Sequence, residues 1–443
     1  MARQGVPTMA WTRSQDCTDL INSTHENTPY LPGIKLSELI VATTEVSEAT
    51  EGADIVFVVV PTPFIRDFIV KHRDKIPTGV PIVVCCKGIE NGSLLTPFEI
   101  LEEELPGKYH KHLSCLSGPS FAREVALGKP TSVTVAANDM KCAQKVQEMV
   151  RDLNFRAYTS DDVMGLELFG AVKNVLAIAC GASDGFEFGL NARAALITRG
   201  LAEISRMAVK KGASPLSMGS LCGVGDLVLT CTGSLSRNWT VGNRLAKGEA
   251  TLLSIRLCSA SRGLVDGTPA YGKERKGRRL RRPGRPGEEK SRNTLLMSLP
   301  FASIPWQYQP VLQTLCSVKR WVRLRESSRL LPHKCADYES FVSSGRCVLL
   351  VCSSCLRQDL ETITTSMRMV AEGVKTATSV VALGEKMGVE MPICQEVFEV
   401  LHNKKPVMEA LASLQGRPHS HDLSLELKHS EGWNSMSGGG GGH

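Results

Sequence analysis

The sequence is poor in aromatic residues, which make up 5% of its 443 positions. They are sparse around its most arginine-rich stretch, Lys273 to Arg285, so a stacking platform for single-stranded nucleic acid is not evident there. No apolar run reaches the ~18 residues that a membrane-spanning helix needs. Residues 1–13 carry Arg, Gln, Pro and Trp where a secretory signal would place an apolar segment. No repeat of fixed period is present, and no second cysteine pair at zinc spacing accompanies Cys352 and Cys355, so a metal site is not expected. These absences leave a chain of about two or three domains, at roughly 150 residues each, in a cytosolic or organellar compartment. The fifteen cysteines are odd in number and mostly scattered, which favours reduced thiols over a disulfide framework.

What charge there is lies unevenly. The formal net charge is +7, yet residues 251–359 alone hold 20 Lys and Arg against 8 Asp and Glu. The remainder is slightly acidic, so basicity describes one segment and not the body of the protein. Six of the fifteen cysteines fall in the same segment. It also loses helical periodicity and becomes rich in Arg, Ser, Pro and Gly, and we read it as a basic insertion without a fold of its own.

Outside it the periodicity is clear. Asp54 to Val60 and Val80 to Cys86 are short β-branched runs of the kind buried on both faces in a parallel sheet, and Phe64 to Lys75 between them has helical spacing. Further strands are expected at His112 to Leu116, Ser132 to Ala136 and Phe155 to Tyr158. The fold class is therefore α/β, a doubly wound parallel sheet over residues 1–160, followed by an all-α domain over 161–250 and 360–418. Its helices are predicted at Val163 to Ala182, Ala192 to Lys211, Ser236 to Lys247, Val370 to Met387 and Cys394 to Asn403. A glycine-rich tail, 419–443, reads as disordered.

Three motifs could carry chemistry. Leu116-Ser-Gly118-Pro-Ser120 follows a strand and lets backbone and hydroxyl approach a ligand at a helix start, although it also reads as a plain helix cap. Lys173 sits in an otherwise apolar helix with Gly170 and Ala177 as small neighbours and no carboxylate at i±4. Desolvation there would lower its pKa towards that of a base. The blander alternative is a lysine whose head reaches solvent. Ser236-Arg237-Asn238 at a helix start suits a phosphate, with the arginine as a bidentate clasp, or else is an N-cap beside a solvated arginine.

The order of these motifs is more specific than any one of them. Cys-Lys87-Gly, Ser-Gly118-Pro-Ser120-Phe-Ala122, Ala-Val-Lys173-Asn174-Val, Gly-Val-Gly-Asp226-Leu, Leu-Ser236-Arg237-Asn238 and Val370-Ala-Glu372-Gly373 follow one another in the chain. Gly181-Ala-Ser-Asp184-Gly185 and Asn191-Ala-Arg193 add to them. Together they closely resemble NAD(P)-dependent glycerol-3-phosphate dehydrogenase, over residues 6–250 and 360 to about 415. The resemblance implies hydride transfer between nicotinamide and C2 of sn-glycerol 3-phosphate, giving dihydroxyacetone phosphate, with NAD or NADP as cofactor. It implies Lys173 as general base. Lys87, Gly118, Ser120, Asn174, Asp226, Ser236, Arg237 and Asn238 match substrate contacts. Arg13, Phe64, Lys87, Ala122, Arg237, Val370 and Glu372 match cofactor contacts. A homodimer and a cytoplasmic or plastid location go with the same resemblance, while the missing apolar run and the sparse aromatics lead to the expectation of no membrane and no nucleic acid as partner.

Two departures stand beside it. The family opens with a strand and a G-x-G-x-x-G loop that seats the pyrophosphate. Here Val6 to Arg13 already resembles the second strand, so the sheet is expected without its first β-α unit. The family also runs on without interruption where residues 251–359 stand, and an intron-derived segment is the expectation for them, with a real insertion that binds an acidic partner as the alternative. A non-catalytic paralogue that has lost cofactor binding, and a β-hydroxyacid dehydrogenase, are the competing functions.

Overall fold

Of the strands, those at 40–43, 56–58, 82–84 and 131–136 form where β-branched residues run together. In the computed structural model, which describes residues 1–248, 360–366 and 371–417, the strands fall into two sheets. The basic segment, the glycine-rich tail and Val370 lie outside the described residues. The first sheet is a parallel pair, β1 (Thr8–Trp11) and β2 (Ile40–Thr43), linked by α1 (Gln15–Thr24) and followed by α2 (Val46–Thr50). The second has five strands in sequence order, β3 (Val56–Val58), β4 (Ile82–Val84), β5 (Leu113–Ser117), β6 (Thr131–Ala136) and β7 (Phe155–Ser160). Among the described residues β1 and β3 share no ladder, and the expected doubly wound sheet is split between them.

Within the second sheet β3, β4 and β5 are parallel, as are β6 and β7, but β5 and β6 run antiparallel. The all-parallel expectation misses this pair. Residues 118–130 hold only the five-residue α5 (Ala122–Ala126), and the chain returns beside β5 without a helical crossover of the βαβ kind.

Period-two alternation places helices on both faces. Ile82 and Val84 pack with Ile65 and Ile69 of α3 (Ile65–His72) and with Ile100 and Leu101 of α4 (Pro97–Glu104). Val83 faces the other way, into Val133, Val135 and the Ala143 and Val146 side of α6 (Met140–Val150). α4 starts on a capping box, with Thr96 Oγ1 accepting from the Glu99 N–H and Glu99 reaching back to the Thr96 N–H.

The helical half is built around α7 (Val163–Gly185), with α8 (Leu190–Lys210), α9 (Asp226–Thr232), α10 (237–248), α11 (Leu360–Ser366), α12 (Glu372–Met387), α13 (Pro392–His402) and α14 (Val407–Gln415) following it in sequence. α7 is apolar on every side, the mark of a helix enclosed by others. By length and composition alone it could cross a membrane, but 94% of its apolar window is buried inside the protein. Leu168, Phe169, Val172, Val175 and Leu176 meet Ile204 and Met207 of α8, Leu227 of α9 and Ala377 and Val380 of α12. The expected helices are present with their ends shifted by at most three residues, and the ends at Val163 and Met387 coincide.

Candidate functional site

β3, β4 and β5 point the same way, so the segments leaving their carboxyl ends converge on one edge of the sheet, where open α/β folds bind ligands. Phe64 follows β3, Lys87 follows β4, and Gly118 and Ser120 follow β5. α7 packs across this edge and brings Lys173 to it. The lysine head does not reach solvent, since the residue is 5% exposed. The carboxylate missing at i±4 comes instead from α9.

Asp226 joins two lysines. Its Oδ1 lies 2.5 Å from Lys173 Nζ and its Oδ2 2.7 Å from Lys87 Nζ, with Asp226 itself 1% exposed. Lys87 Nζ is also 3.5 Å from the Gly118 carbonyl oxygen. The Lys87 stem runs against Gly170 of α7, where a Cβ would lie in ordinary contact with Lys87 Cγ at 3.6 Å and closer, at 3.1 Å, to Ser117 Oγ. One carboxylate cannot fully balance two ammonium groups, and the pKa shifts follow from that. Burial, then repulsion from Lys87, outweigh Asp226 and bring Lys173 down to about 7. For Lys87 burial is outweighed by the attraction of Asp226, and its pKa rises. Burial alone would raise Asp226, but the two ammonium groups hold its carboxyl below the ordinary value.

Thr230 completes the cluster, and the sequence reading gave it no role. Its hydroxyl accepts from Lys173 Nζ at 2.9 Å and donates to the Asp226 carbonyl oxygen at 2.6 Å. The signal was available in the i, i+4 spacing of Asp226 and Thr230, which puts both on one face of α9.

The phosphate-type motif lies at the start of α10. Ser236 is 3% exposed and its Oγ accepts from the Trp239 N–H at 3.3 Å, an N-cap. Arg237 is exposed. Asn238 is buried and its Oδ1 accepts from the Gly373 N–H at 3.0 Å, so one end of this amide ties α10 to α12 and the Nδ2 end remains to donate. Gly373 in turn packs on the carbonyl of Asn174, itself buried, where a Cβ would lie 2.5 Å from the oxygen. Lys173, Asn174, Asn238 and Glu372 are thus neighbours. Burial raises the Glu372 pKa, opposed by Arg237, Lys87 and Lys173.

The expected cofactor residues are less closely gathered. Phe64 is 51% exposed, with Lys375 Nζ 5.6 Å from its ring centre. Ala122 is exposed at the first position of α5, and Arg13 is exposed beyond β1 in the other sheet. The nicotinamide end of a dinucleotide fits what is there. Thr62 Oγ1 is buried without a hydrogen-bond partner among the described residues, beside Gly88, and Gly88 and Gly118 take φ of 149° and 140° that keep their segments close-packed. For the pyrophosphate the chain offers no G-x-G-x-x-G.

Residues 1–143 match the family model of the NAD-dependent glycerol-3-phosphate dehydrogenase N-terminus. Residues 162–269 and 347–412 match that of the NAD-dependent glycerol-3-phosphate dehydrogenase C-terminus, which passes over 270–346. Among curated proteins the chain is similar to glycerol-3-phosphate dehydrogenase [NAD(P)+] of Myxococcus xanthus, 51% identical over 239 residues, 54% of this chain and 71% of that one. It is also similar to the protein of that name from Geobacter sp. (strain M21), 34% identical over 417 residues, 94% and 92% of the two chains. A solved glycerol-3-phosphate dehydrogenase from Coxiella burnetii superposes with a TM-score of 0.65 at 26% identity, over 94% of this chain and 93% of that one.

Proposed function

Since the chain belongs to the NAD-dependent glycerol-3-phosphate dehydrogenase family, an oxidoreductase family that interconverts sn-glycerol 3-phosphate and dihydroxyacetone phosphate with NAD or NADP, we propose that Lys173 is its general base. The observation that supports this most is the buried Lys173–Asp226–Lys87 cluster. A neutral Lys173 has two N–H bonds and one lone pair. Thr230 Oγ1 and Asp226 Oδ1 accept the two N–H bonds, which leaves the lone pair for the C2 hydroxyl. As the C2–H bond breaks, Lys173 takes the hydroxyl proton and the C2–O bond becomes a carbonyl. In the reverse direction the ammonium returns it. The bound cofactor supplies the hydride acceptor or donor at its nicotinamide.

Lys87 keeps its charge beside Asp226 and is placed to hold the C2 oxygen. Gly118, Ser120 and Asn174 line the same edge as substrate contacts, and Ser236, Arg237 and Asn238 clasp the phosphate, with Arg237 supplying a charge-assisted contact. Phe64, Lys87, Ala122, Arg237, Glu372 and Arg13 are proposed to contact the cofactor, and Val370 belongs to the same proposal outside the described residues. The domain limits at 160, 250 and 360, a homodimeric assembly and a cytoplasmic location complete the reading.

The test is oxidation of NADH that depends on dihydroxyacetone phosphate. Lys173→Ala is expected to lower kcat by about 10²–10⁴-fold while NADH binding by calorimetry is retained. Full activity in that variant removes Lys173 as the base, and a chain that turns over nothing and takes up no NADH is the non-catalytic paralogue instead.

A further inference from the structure

The helix that begins with the proposed phosphate clasp lies unusually close to the helix that carries Lys173. A Cβ at Gly181 of α7 would sit 2.0 Å from the Trp239 carbonyl oxygen, and one at Gly242 of α10 would sit 1.9 Å from the Ile178 carbonyl oxygen. A third glycine, Gly185, meets the Asn243 backbone in the same way, with 2.8 Å from its would-be Cβ to the oxygen. These contacts fix the separation of the two helices. Smooth glycine surfaces do not by themselves fix rotation or slide, because no side chain interlocks.

Polar contacts supply what the glycines cannot. Asp184, in the last turn of α7, uses its two oxygens on two different helices. Oδ2 accepts from Trp239 Nε1 at 2.6 Å, and Oδ1 accepts from Arg193 Nε of α8 at 2.9 Å, with Arg193 Nη2 also at 2.9 Å. The Asp184 side chain is 9% exposed, so a lost partner is not replaced by water at no cost. Asn243 Nδ2 donates to the Gly181 carbonyl at 3.3 Å one turn further along. Trp239 is the next residue after Asn238, and its own N–H is the one that Ser236 Oγ caps. Any turn of α10 that breaks the indole contact therefore carries Ser236, Arg237 and Asn238 with it.

We propose that Asp184 is a positioning residue for the substrate's phosphate: held by Arg193, it fixes Trp239 and through it the orientation of Ser236, Arg237 and Asn238 relative to Lys173. Asp184 touches neither substrate nor cofactor. The proposal rests on the reading of those three residues as the phosphate clasp, and it assigns a task to two motifs, Gly181 to Gly185 and Asn191 to Arg193, that the reaction itself does not use.

The experiment compares Asp184→Asn, Trp239→Phe and their double variant with Arg237→Ala in the full-length chain, measuring kcat and separate KM values for dihydroxyacetone phosphate and NADH. Asp184→Asn is expected to raise KM for dihydroxyacetone phosphate about 5- to 20-fold, with kcat and the KM for NADH, which only Arg237 of the three residues is proposed to touch, each within about twofold, since uniform binding is lost and the base is untouched. Trp239→Phe keeps an aromatic side chain while losing the indole N–H and the five-membered part of the ring, so it moves KM in the same direction even if the aspartate variant fails to fold. The double variant is expected to be no worse than the worse single one, because both remove one contact. Unchanged KM in Asp184→Asn and Trp239→Phe beside a raised KM in Arg237→Ala overturns the positioning role and leaves the clasp standing. Unchanged KM in Arg237→Ala overturns the clasp and the positioning role with it. A fall in kcat with both KM values raised alike overturns the proposal in favour of a general structural role.

Discussion

The sheet edge around Lys173 and the two-stranded sheet at β1 and β2 are built on opposite terms. Around Lys173 the charged groups are buried or, for Lys87, half-buried, and are held by partners from other elements: Asp226 from α9, Lys87 from the end of β4, Thr230 across the cluster. At β1 and β2, Met9 and Val41 face each other in register and are 43% and 48% exposed, and Arg13 beyond them is exposed as well. Charges that are expensive to bury persist only where the surrounding structure over-determines them. The contrast therefore marks the Lys173 edge as tightly specified and the β1–β2 sheet as loosely packed.

The largest effect expected from disturbing the tight side is that of Asp226→Ala. It leaves two lysines at one site without their counter-charge, and breaking such a buried arrangement costs about 3–5 kcal/mol. A lowered urea midpoint and a loss of turnover are the readouts. A midpoint equal to that of the unaltered protein would mean that the cluster is solvated and the contrast false.

The pH profile comes next. With Lys173 brought down to about 7 by burial and by Lys87, the proposed base has to be the neutral amine for oxidation of glycerol 3-phosphate, so kcat/KM is expected to rise with pH through about 7 and then level. Reduction of dihydroxyacetone phosphate needs the ammonium and is expected to fall through the same range. Profiles flat from pH 6 to 8.5 in both directions would contradict a titrating Lys173.

How much of this was legible beforehand follows from where information sits in a chain. The strands Val56–Val58 and Ile82–Val84 and the long helices are local patterns, and their existence was readable within a few residues. The lysine's role was suggested by what surrounds it in sequence, small residues and no carboxylate at i±4. Its partner was not readable as such, because Asp226 lies 53 positions away and only packing of α9 on α7 joins them. The antiparallel pairing of β5 with β6 was hidden for a similar reason: strand direction is set by how the connecting segment packs, not by strand composition. Asn238 illustrates a third limit, since half of its amide is occupied by Gly373, a residue beyond the basic segment.

A gentler probe of the tight side is Glu167, buried at the start of α7 with both oxygens accepting from the Phe98 N–H at 3.0 and 3.1 Å. Burial pushes its carboxyl from 4.5 up to about 8. Between those values the folded state keeps a proton that the unfolded chain has released, so stability falls as pH rises through that window and is level outside it. Glu203, capping α13 through Ile393 and Cys394, is raised to about 7 by burial and acts in the same sense. Glu167→Gln is expected to reduce the slope of unfolding free energy against pH by at most about 1.4 kcal/mol per unit, without abolishing it. An unchanged slope in urea melts at pH 5, 6.5 and 8 would place the Glu167 carboxylate in water.

The smallest effect belongs to the loose side, and it is informative as half of a matched pair. Val83 on β4 and Val41 on β2 are the same residue in parallel strands, but Val83 is 0% exposed and Val41 is 48% exposed. Replacing a methyl by a hydroxyl at Val83 buries a polar group among Val133, Val135 and Val146, and Val83→Thr is expected to cost about 1–3 kcal/mol. At Val41 the hydroxyl stays in water, and Val41→Thr is expected to stay within about 0.5 kcal/mol of the unaltered protein. Equal losses for the two variants would mean that Val41 is covered in solution, by a second copy or by another part of the chain. The β1–β2 sheet would then have to be counted with the buried core.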